Sequence, residues 1–235
     1  MTDDEKRRWK KPKGPAKNTS GRRVNKRKVI AHNAKTESSK KWLERQLSDP
    51  YVQKARDAGY RARAAFKLLE IHEKTGLLDN RRRAVDLGCA PGGWLQVLQA
   101  RGQAEIVGID LLPVEPLQGV HIVEGDVNDI QAVGQMLAGL NGKPDLVLSD
   151  MAANTTGHRQ TDHLRTVALV EMAVHFAIGH LEPGGAFCAK VFQGGATSTV
   201  LELLKQHFGS VKHIKPPSSR AGSPEIFVVA TGFRQ

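Results

Sequence analysis

From Arg83 to Phe192 short apolar runs alternate with turns and stretches of helical period, without any internal sequence repeat. The apolar runs are "RAVDL" (Arg83–Leu87), "IVGID" (Ile106–Asp110), "VHIVEGD" (Val120–Asp126), "DLVLSD" (Asp145–Asp150) and "AFCAKVF" (Ala186–Phe192). Helical patterns fall at Gly93–Arg101, Ile130–Leu140 and Asp162–His180. Runs that are apolar throughout belong to strands covered on both faces, and strands joined through helices run parallel. The pattern therefore predicts an α/β fold around a mostly parallel sheet. Thr197–Phe208 reads as a further helix, "VKHIK" as a short strand, and "EIFVVATGF" as the closing strand. Ahead of the first strand, Ala65, Leu68, Leu69 and His72 share a helical face with Phe66 beside it, which predicts a helix at about 60–75 closed by Gly76.

In such sheets ligands bind outside the carboxyl ends of the strands, at the point where the strand order reverses. Three acids stand at those ends: Asp110, Asp126 and Asp150. After the first strand comes "DLGCAPGGW", in which Gly88, Gly92 and Gly93 let a ligand approach bare backbone. The spacing G-x-x-x-G-G is neither the dinucleotide fingerprint nor a Walker loop, since no G-K-[ST] follows. Asp110, about 20 residues past the bend, stands where an acid accepts ribose hydroxyls. A nucleoside ligand without a pyrophosphate fits, and S-adenosylmethionine meets that description. A lone acid after a strand also caps helices, and Asp126 has that alternative open to it.

Three more residues carry chemistry. Lys190 interrupts an otherwise apolar strand, where an unpaired ammonium is costly, although a strand-end lysine also reaches water. Glu225 opens the last strand, and Lys67 lies on the N-terminal helix. If these converge with Asp150, two lysines and two carboxylates alternate in charge and hold one another in place.

The net charge of +11 is unevenly placed. Residues 1–41 hold 15 Lys/Arg against 4 Asp/Glu, and residues 42–235 hold 20 of each. The tail has Gly, Pro and almost no apolar period, so it reads as disordered when free and suited to a polyanion such as RNA. Lys54, Arg56, Arg61, Arg63 and Lys67 make the leading face of the N-terminal helical part basic; most such runs are solvated faces. The two cysteines, Cys89 and Cys188, form no metal or disulfide pattern and fit a cytosolic, reducing compartment, with no structural metal expected. There is no secretory h-region and no apolar stretch of bilayer-spanning length, so a cytoplasmic protein away from membranes is expected.

The segments "SDPYVQKARDAGYRARAAFKLLEI", "DLGCAPGGW", "GIDLLP", "EGDV", "DLVLSDMAANTTG", "CAKVFQG" and "SSRAGSPEIFVVATGF" resemble, in order, those of the RrmJ/FtsJ (RlmE) family of ribosomal RNA 2′-O-methyltransferases. The resemblance runs from about Ser39 to Phe233 and leaves out the tail. It implies a Rossmann-like S-adenosylmethionine-dependent methyltransferase fold with a seven-stranded sheet whose last strand is antiparallel. The domains implied are a basic tail (1–41) and a methyltransferase domain (42–235), with a helical part at 42–80 and the core at 81–235. It implies a catalytic tetrad of Lys67, Asp150, Lys190 and Glu225. Cofactor contacts carry over to Gly92 and Trp94 in the bend, Asp110 at the ribose, Asp126 at the adenine edge and Asp150 near the methionine end. The implied substrate is a uridine of large-subunit (23S) ribosomal RNA on the assembled 50S particle, modified by a monomer; no protein partner is evident. Lys190 is then the general base, Asp150 orients it, and Lys67 and Glu225 position the ribose. Arg56, Arg61, Arg63 and the tail would grip phosphates. The alternatives are a tRNA or mRNA-cap methyltransferase of the same chemistry, and a non-catalytic ribosome-assembly factor. A nicotinamide dehydrogenase is disfavoured by the glycine spacing.

Overall fold

The computed structural model describes residues 48–153, 156–192, 198–220 and 222–235; the basic segment 1–41 lies outside them. Two helices come first, α1 (Pro50–Asp57) and α2 (Ala65–Thr75). Then follow β1 (Arg83–Leu87), α3 (Gly93–Ala100), β2 (Glu105–Asp110), β3 (Val120–Glu124), α4 (Ile130–Leu137) and β4 (Leu146–Ser149). The chain closes with α5 (Arg159–His180), β5 (Ala186–Phe192), α6 (Ser198–His207), β6 (Phe208–Ile214) and β7 (Glu225–Phe233). The seven strands form one sheet in the order β3-β2-β1-β4-β5-β7-β6. The pairs among β1 to β5 are parallel, and β7 runs antiparallel to both β5 and β6.

Alternate residues along a strand face opposite sides of a sheet, and the core divides accordingly. Val85, Leu87, Val107, Ile109 and Phe187 pack with Met136 and Val174 on the side of α4 to α6. Ala84, Ile106, Leu148 and Cys188 pack with Leu68 of α2 and Leu95 of α3 on the other. The same parity assigns Asp86, Asp150, Lys190 and Glu225 to the α2 side, since each is two residues from a member of that second layer. Burial on both faces is why β1, β2, β4 and β5 read as unbroken apolar runs. Burial pushes the thiols of Cys89 and Cys188 up, so both behave as small apolar residues.

The N-terminal helix differs from its expected span. It begins at Ala65, not near 60, and a separate helix, α1, precedes it. Asp49 caps α1, its Oδ1 accepting the Tyr51 N–H at 3.0 Å, with Pro50 at the first helical position. Between the helices, side chains of α3 occupy the backbone: Arg61 N–H donates to Gln96 Oε1 at 2.8 Å, and Ala64 O accepts the Trp94 indole N–H at 2.8 Å. The backbone of residues 62–64 forms only tight turns into α2, Ala65, Phe66 and Lys67 N–H donating to Ala62, Arg63 and Ala64 O, and the tertiary bonds fix that entry. The close at Gly76 is as expected, with φ of 67° and its N–H on His72 O.

His72 also holds the C-terminal end of α2. Its Nδ1 accepts the Leu78 N–H at 3.2 Å, which requires an unprotonated nitrogen. Burial, and then Arg101, lower its pKa from 6.5. The unfolded chain therefore takes up this proton first, so the stability held by neutral His72 is complete above about pH 6.5 and is lost as pH falls through the folded value. The urea midpoint, followed by tryptophan fluorescence, should fall on acidification below neutral pH, and His72→Gln should flatten that slope.

Candidate active site

β1 and β4 are neighbours, yet the chain visits β2 and β3 between them, so the sheet reverses direction at their shared C-terminal edge. The bend after β1 opens there. Gly88 has φ of +78°, and a Cβ on it would stand 2.5 Å from Met151 Cγ, in the loop after β4. Gly88 and Cys89 both donate backbone N–H to Ile109 O. Asp110 then locks the bend to β2: Oδ2 accepts the Ala90 N–H at 2.8 Å and Oδ1 the Leu112 N–H at 2.9 Å. Each carboxylate oxygen has two lone pairs, so a ribose can still be received. Gly92, with φ of +102°, caps α3 and again leaves no room for a side chain.

Beneath the bend lies a pocket lined by Ala62, Asp86, Gly88, Pro91, Trp94 and Asp150, among others. Trp94 is buried, its indole N–H committed to Ala64 O and its ring 5.8 Å from that of Phe227, so it supports the bend from below. Asp126 is exposed and closes a local turn, Oδ1 accepting both the backbone and side-chain N–H of Asn128. The N-cap of α4 is Asp129.

Lys67, Asp150, Lys190 and Glu225 converge. Lys67 Nζ lies 2.9 Å from Glu225 Oε2 and 3.4 Å from Asp150 Oδ2. Lys190 Nζ lies 2.9 Å from Asp150 Oδ1 and donates to Asp150 O at 2.7 Å. The row Glu225, Lys67, Asp150, Lys190 alternates in charge, and no side chain in it is more than 16% exposed. Pairing is what makes such burial tolerable, since a lone buried ion costs several kcal/mol.

Three features escape the sequence pattern. Asp86 is 1% exposed, lines the pocket, and neither carboxylate oxygen has a hydrogen-bond partner among the described residues. Burial, then Asp150 and Asp110, hold its pKa well above the usual carboxylate range. An ionisable residue inside an apolar run was the available signal, the one that singles out Lys190. Ser219 Oγ donates to Glu225 Oε1 at 2.8 Å, fixing the second oxygen of that carboxylate. The loop carrying Ser219 is in turn tied to the helices: Glu70 Oε2 accepts the Ser218 N–H at 2.7 Å, and Glu70 Oε1 the Tyr51 hydroxyl at 3.0 Å. No local period announces such loop contacts.

The basic face divides. Arg63 pairs with Asp49 and donates to Ser218 O, and Arg61 donates to three backbone carbonyls, so neither is a free phosphate grip. Folding consumes these two guanidinium groups in tertiary contacts. Arg56, Lys74, Lys212, Lys215 and Arg220 remain at the surface.

A seven-stranded sheet in this order, with β7 reversed and a glycine bend at the β1/β4 edge, defines a Rossmann-like methyltransferase. The chain belongs to the FtsJ-like methyltransferase family, whose model matches residues 60–233. It is 69% identical over 235 residues, the whole of both chains, to "Ribosomal RNA large subunit methyltransferase E" of Hyphomonas neptunium. It is 52% identical over 222 residues to the protein of the same name from a Caulobacter species, covering 94% of this chain and 98% of that one. A crystal structure from Plasmodium falciparum, described as a ribosomal RNA methyltransferase, superposes with a TM-score of 0.66 at 32% identity, over 74% of this chain and 98% of its own. No helix among the described residues is long and apolar enough to cross a membrane.

Asp86 yields a test on the protein without ligand. A carboxyl whose folded pKa is raised loses stability as pH rises from its unfolded value, 3.8, through the folded one. Asp86→Asn removes that dependence. The thermal midpoint of the variant relative to wild type should therefore climb as pH rises above about 3.8, as read by scanning calorimetry; a difference constant with pH would contradict a raised Asp86 pKa.

Proposed function

We propose that this protein transfers a methyl group from S-adenosylmethionine to the ribose 2′-hydroxyl of a uridine in large-subunit (23S) ribosomal RNA, on the assembled 50S particle, acting as a cytoplasmic monomer. The observation that carries the reading is the convergence of Lys67, Asp150, Lys190 and Glu225 beside the glycine bend. The ribosomal substrate is supported by the relatives of that name, one of them matched over its full length.

The cleft suits the cofactor. Asp110 stands ready for ribose hydroxyls, Gly92 leaves bare backbone, and the Asp86 carboxyl, kept protonated by burial in the empty cleft, becomes a counter-charge once a cationic amino-acid arm enters and lowers its pKa. Trp94 holds the bend, and Asp150 faces both the pocket and the lysines; Asp126, two residues past β3, is taken as the partner of the adenine edge. When bound, the cofactor supplies an electrophilic methyl group on a sulfonium.

Lys190 takes the 2′-proton onto Nζ. As a neutral amine it has two N–H donors and one lone pair. Asp150 O accepts one of the donors at 2.7 Å, and Asp150 Oδ1 stands 2.9 Å from the same nitrogen, which leaves the lone pair for the ribose. Asp150 thereby orients the base. Lys67, held by Glu225, supplies a fixed positive charge for the developing 2′-oxyanion, and Ser219 keeps Glu225 in place. RNA is held through the tail and exposed cations such as Arg56 and Lys212, so binding weakens steeply with salt.

The test uses labelled S-adenosylmethionine with large ribosomal subunits from cells lacking the protein, with naked RNA and tRNA alongside, and maps any 2′-O-methyl group formed. One labelled uridine of the large subunit is expected. Lys190→Ala should lose at least about 100-fold in rate while binding S-adenosylhomocysteine as wild type does. Label on tRNA would move the substrate and keep the chemistry; RNA binding without label would favour an assembly factor. Equal loss of methylation and cofactor binding in Lys190→Ala would make that lysine structural.

A further inference from the structure

Arg61 is half-buried, and its guanidinium spans two loops. Nη1 donates to Pro91 O at 3.3 Å, in the bend after β1, and to Glu115 O at 2.6 Å, in the loop after β2. Nη2 donates to Pro116 O at 3.1 Å in the same second loop. The first of these loops lines the pocket through Pro91, and the second follows directly on Asp110. The root of the side chain is anchored independently, with Arg61 N–H on Gln96 Oε1 at 2.8 Å and Gln96 Nε2 on Gly59 O at 3.0 Å.

The fit is close. A Cβ on Gly92 would stand 2.8 Å from Arg61 Nη1 and 3.4 Å from Val114 Cγ1, so the bend, the guanidinium and the second loop are packed together. The second loop is held at its far end by Val114 and Leu117 against the core and by Gln99 Nε2 on Gln118 O at 2.6 Å, while Arg61 takes up the carbonyls of residues 115 and 116. It carries Pro113 and Pro116, which have no backbone N–H to donate, and Leu111 and Leu112 are exposed. Three carbonyls in two loops call for a planar cation with donors in several fixed directions. A guanidinium provides that; an ammonium, with one nitrogen, cannot reach all three.

We propose that Arg61 is a positioning residue for the cofactor: it sets the spacing between the glycine bend and residues 111–117, and so preorganises the cleft for the nucleoside end of the ligand. It is thereby withdrawn from RNA, although its sequence neighbours make it look like part of a phosphate-binding face. The inference rests on the cleft being the S-adenosylmethionine site. Preorganisation acts on binding because a cleft already spaced for its ligand loses less freedom when the ligand enters.

The experiment measures S-adenosylhomocysteine binding by titration calorimetry, and RNA binding across a salt series, for wild type, Arg61→Ala, Arg61→Lys and Arg56→Ala. Arg61→Ala should raise the Kd for S-adenosylhomocysteine about tenfold or more, with the salt slope of RNA binding unchanged. Arg61→Lys should fall between it and wild type. Arg56→Ala should show the reverse pattern, with cofactor affinity intact and the salt slope reduced by about one. If Arg61→Ala does not fold, Arg61→Lys carries the same comparison. Wild-type cofactor affinity in a folded Arg61 variant, or a salt slope reduced as in Arg56→Ala, would overturn the proposal. Failure of wild type itself to bind S-adenosylhomocysteine would instead remove the reading of the cleft on which it rests.

Discussion

The carboxylate of Asp150 stands between two ammonium groups, and the architecture of the site follows from that position. Oδ1 meets Lys190 at 2.9 Å and Oδ2 faces Lys67 at 3.4 Å, while its main-chain oxygen also receives Lys190. Either lysine alone at this depth would be a costly buried ion. Asp150 directly follows β4, the strand beside β1 where the sheet reverses, so the same residue also lines the pocket under the glycine bend. One acid therefore joins the pocket under the bend to the lysine pair. Glu225, at the start of the reversed strand β7, completes the row from the other side.

The N-terminal helices are part of this assembly. α2 covers one face of the sheet through Leu68 and Ile71 and, one residue before Leu68, delivers Lys67. Glu70, one turn further, holds the loop that carries Ser219 against Glu225. Packing and positioning are thus performed by adjacent residues of a single helix, and a change that loosens α2 disturbs both. Asp86 sits at the opposite extreme: its buried, unpartnered carboxyl opposes folding and is retained beside the pocket, a pattern expected where a ligand provides the missing partner.

The strands were legible because runs apolar throughout mark strands covered on both faces, and those ending near Leu87, Ser149 and Phe192 are found within a residue or two of their limits. The grouping of Lys67, Asp150, Lys190 and Glu225 came from the family resemblance, and strand parity supplies its physical reason, since Asp150, Lys190 and Glu225 each lie two residues from an apolar core position of one layer. The start of α2 was not legible, because the backbone that enters it, residues 61–64, runs in tight turns fixed by Gln96 and Trp94 of a later helix. Nor were the duties of Arg61 and Arg63. Their charge is visible locally, but the carbonyls and the carboxylate that take it up lie in distant segments, around residues 91, 115 and 218 and at Asp49. The role of Asp86 could have been suspected from the rule that picks out Lys190.

The central claim is that Asp150 acts by holding Lys190 and Lys67 in place. Single-turnover methylation of large ribosomal subunits at saturating cofactor tests it with four proteins: wild type, Asp150→Asn, Lys190→Ala and the double variant. If Asp150 works through the lysines, its removal has little left to disturb once Lys190 is gone, and the double variant should be scarcely slower than Lys190→Ala alone. Losses that multiply across the two substitutions would contradict the account and make Asp150 an independent contributor.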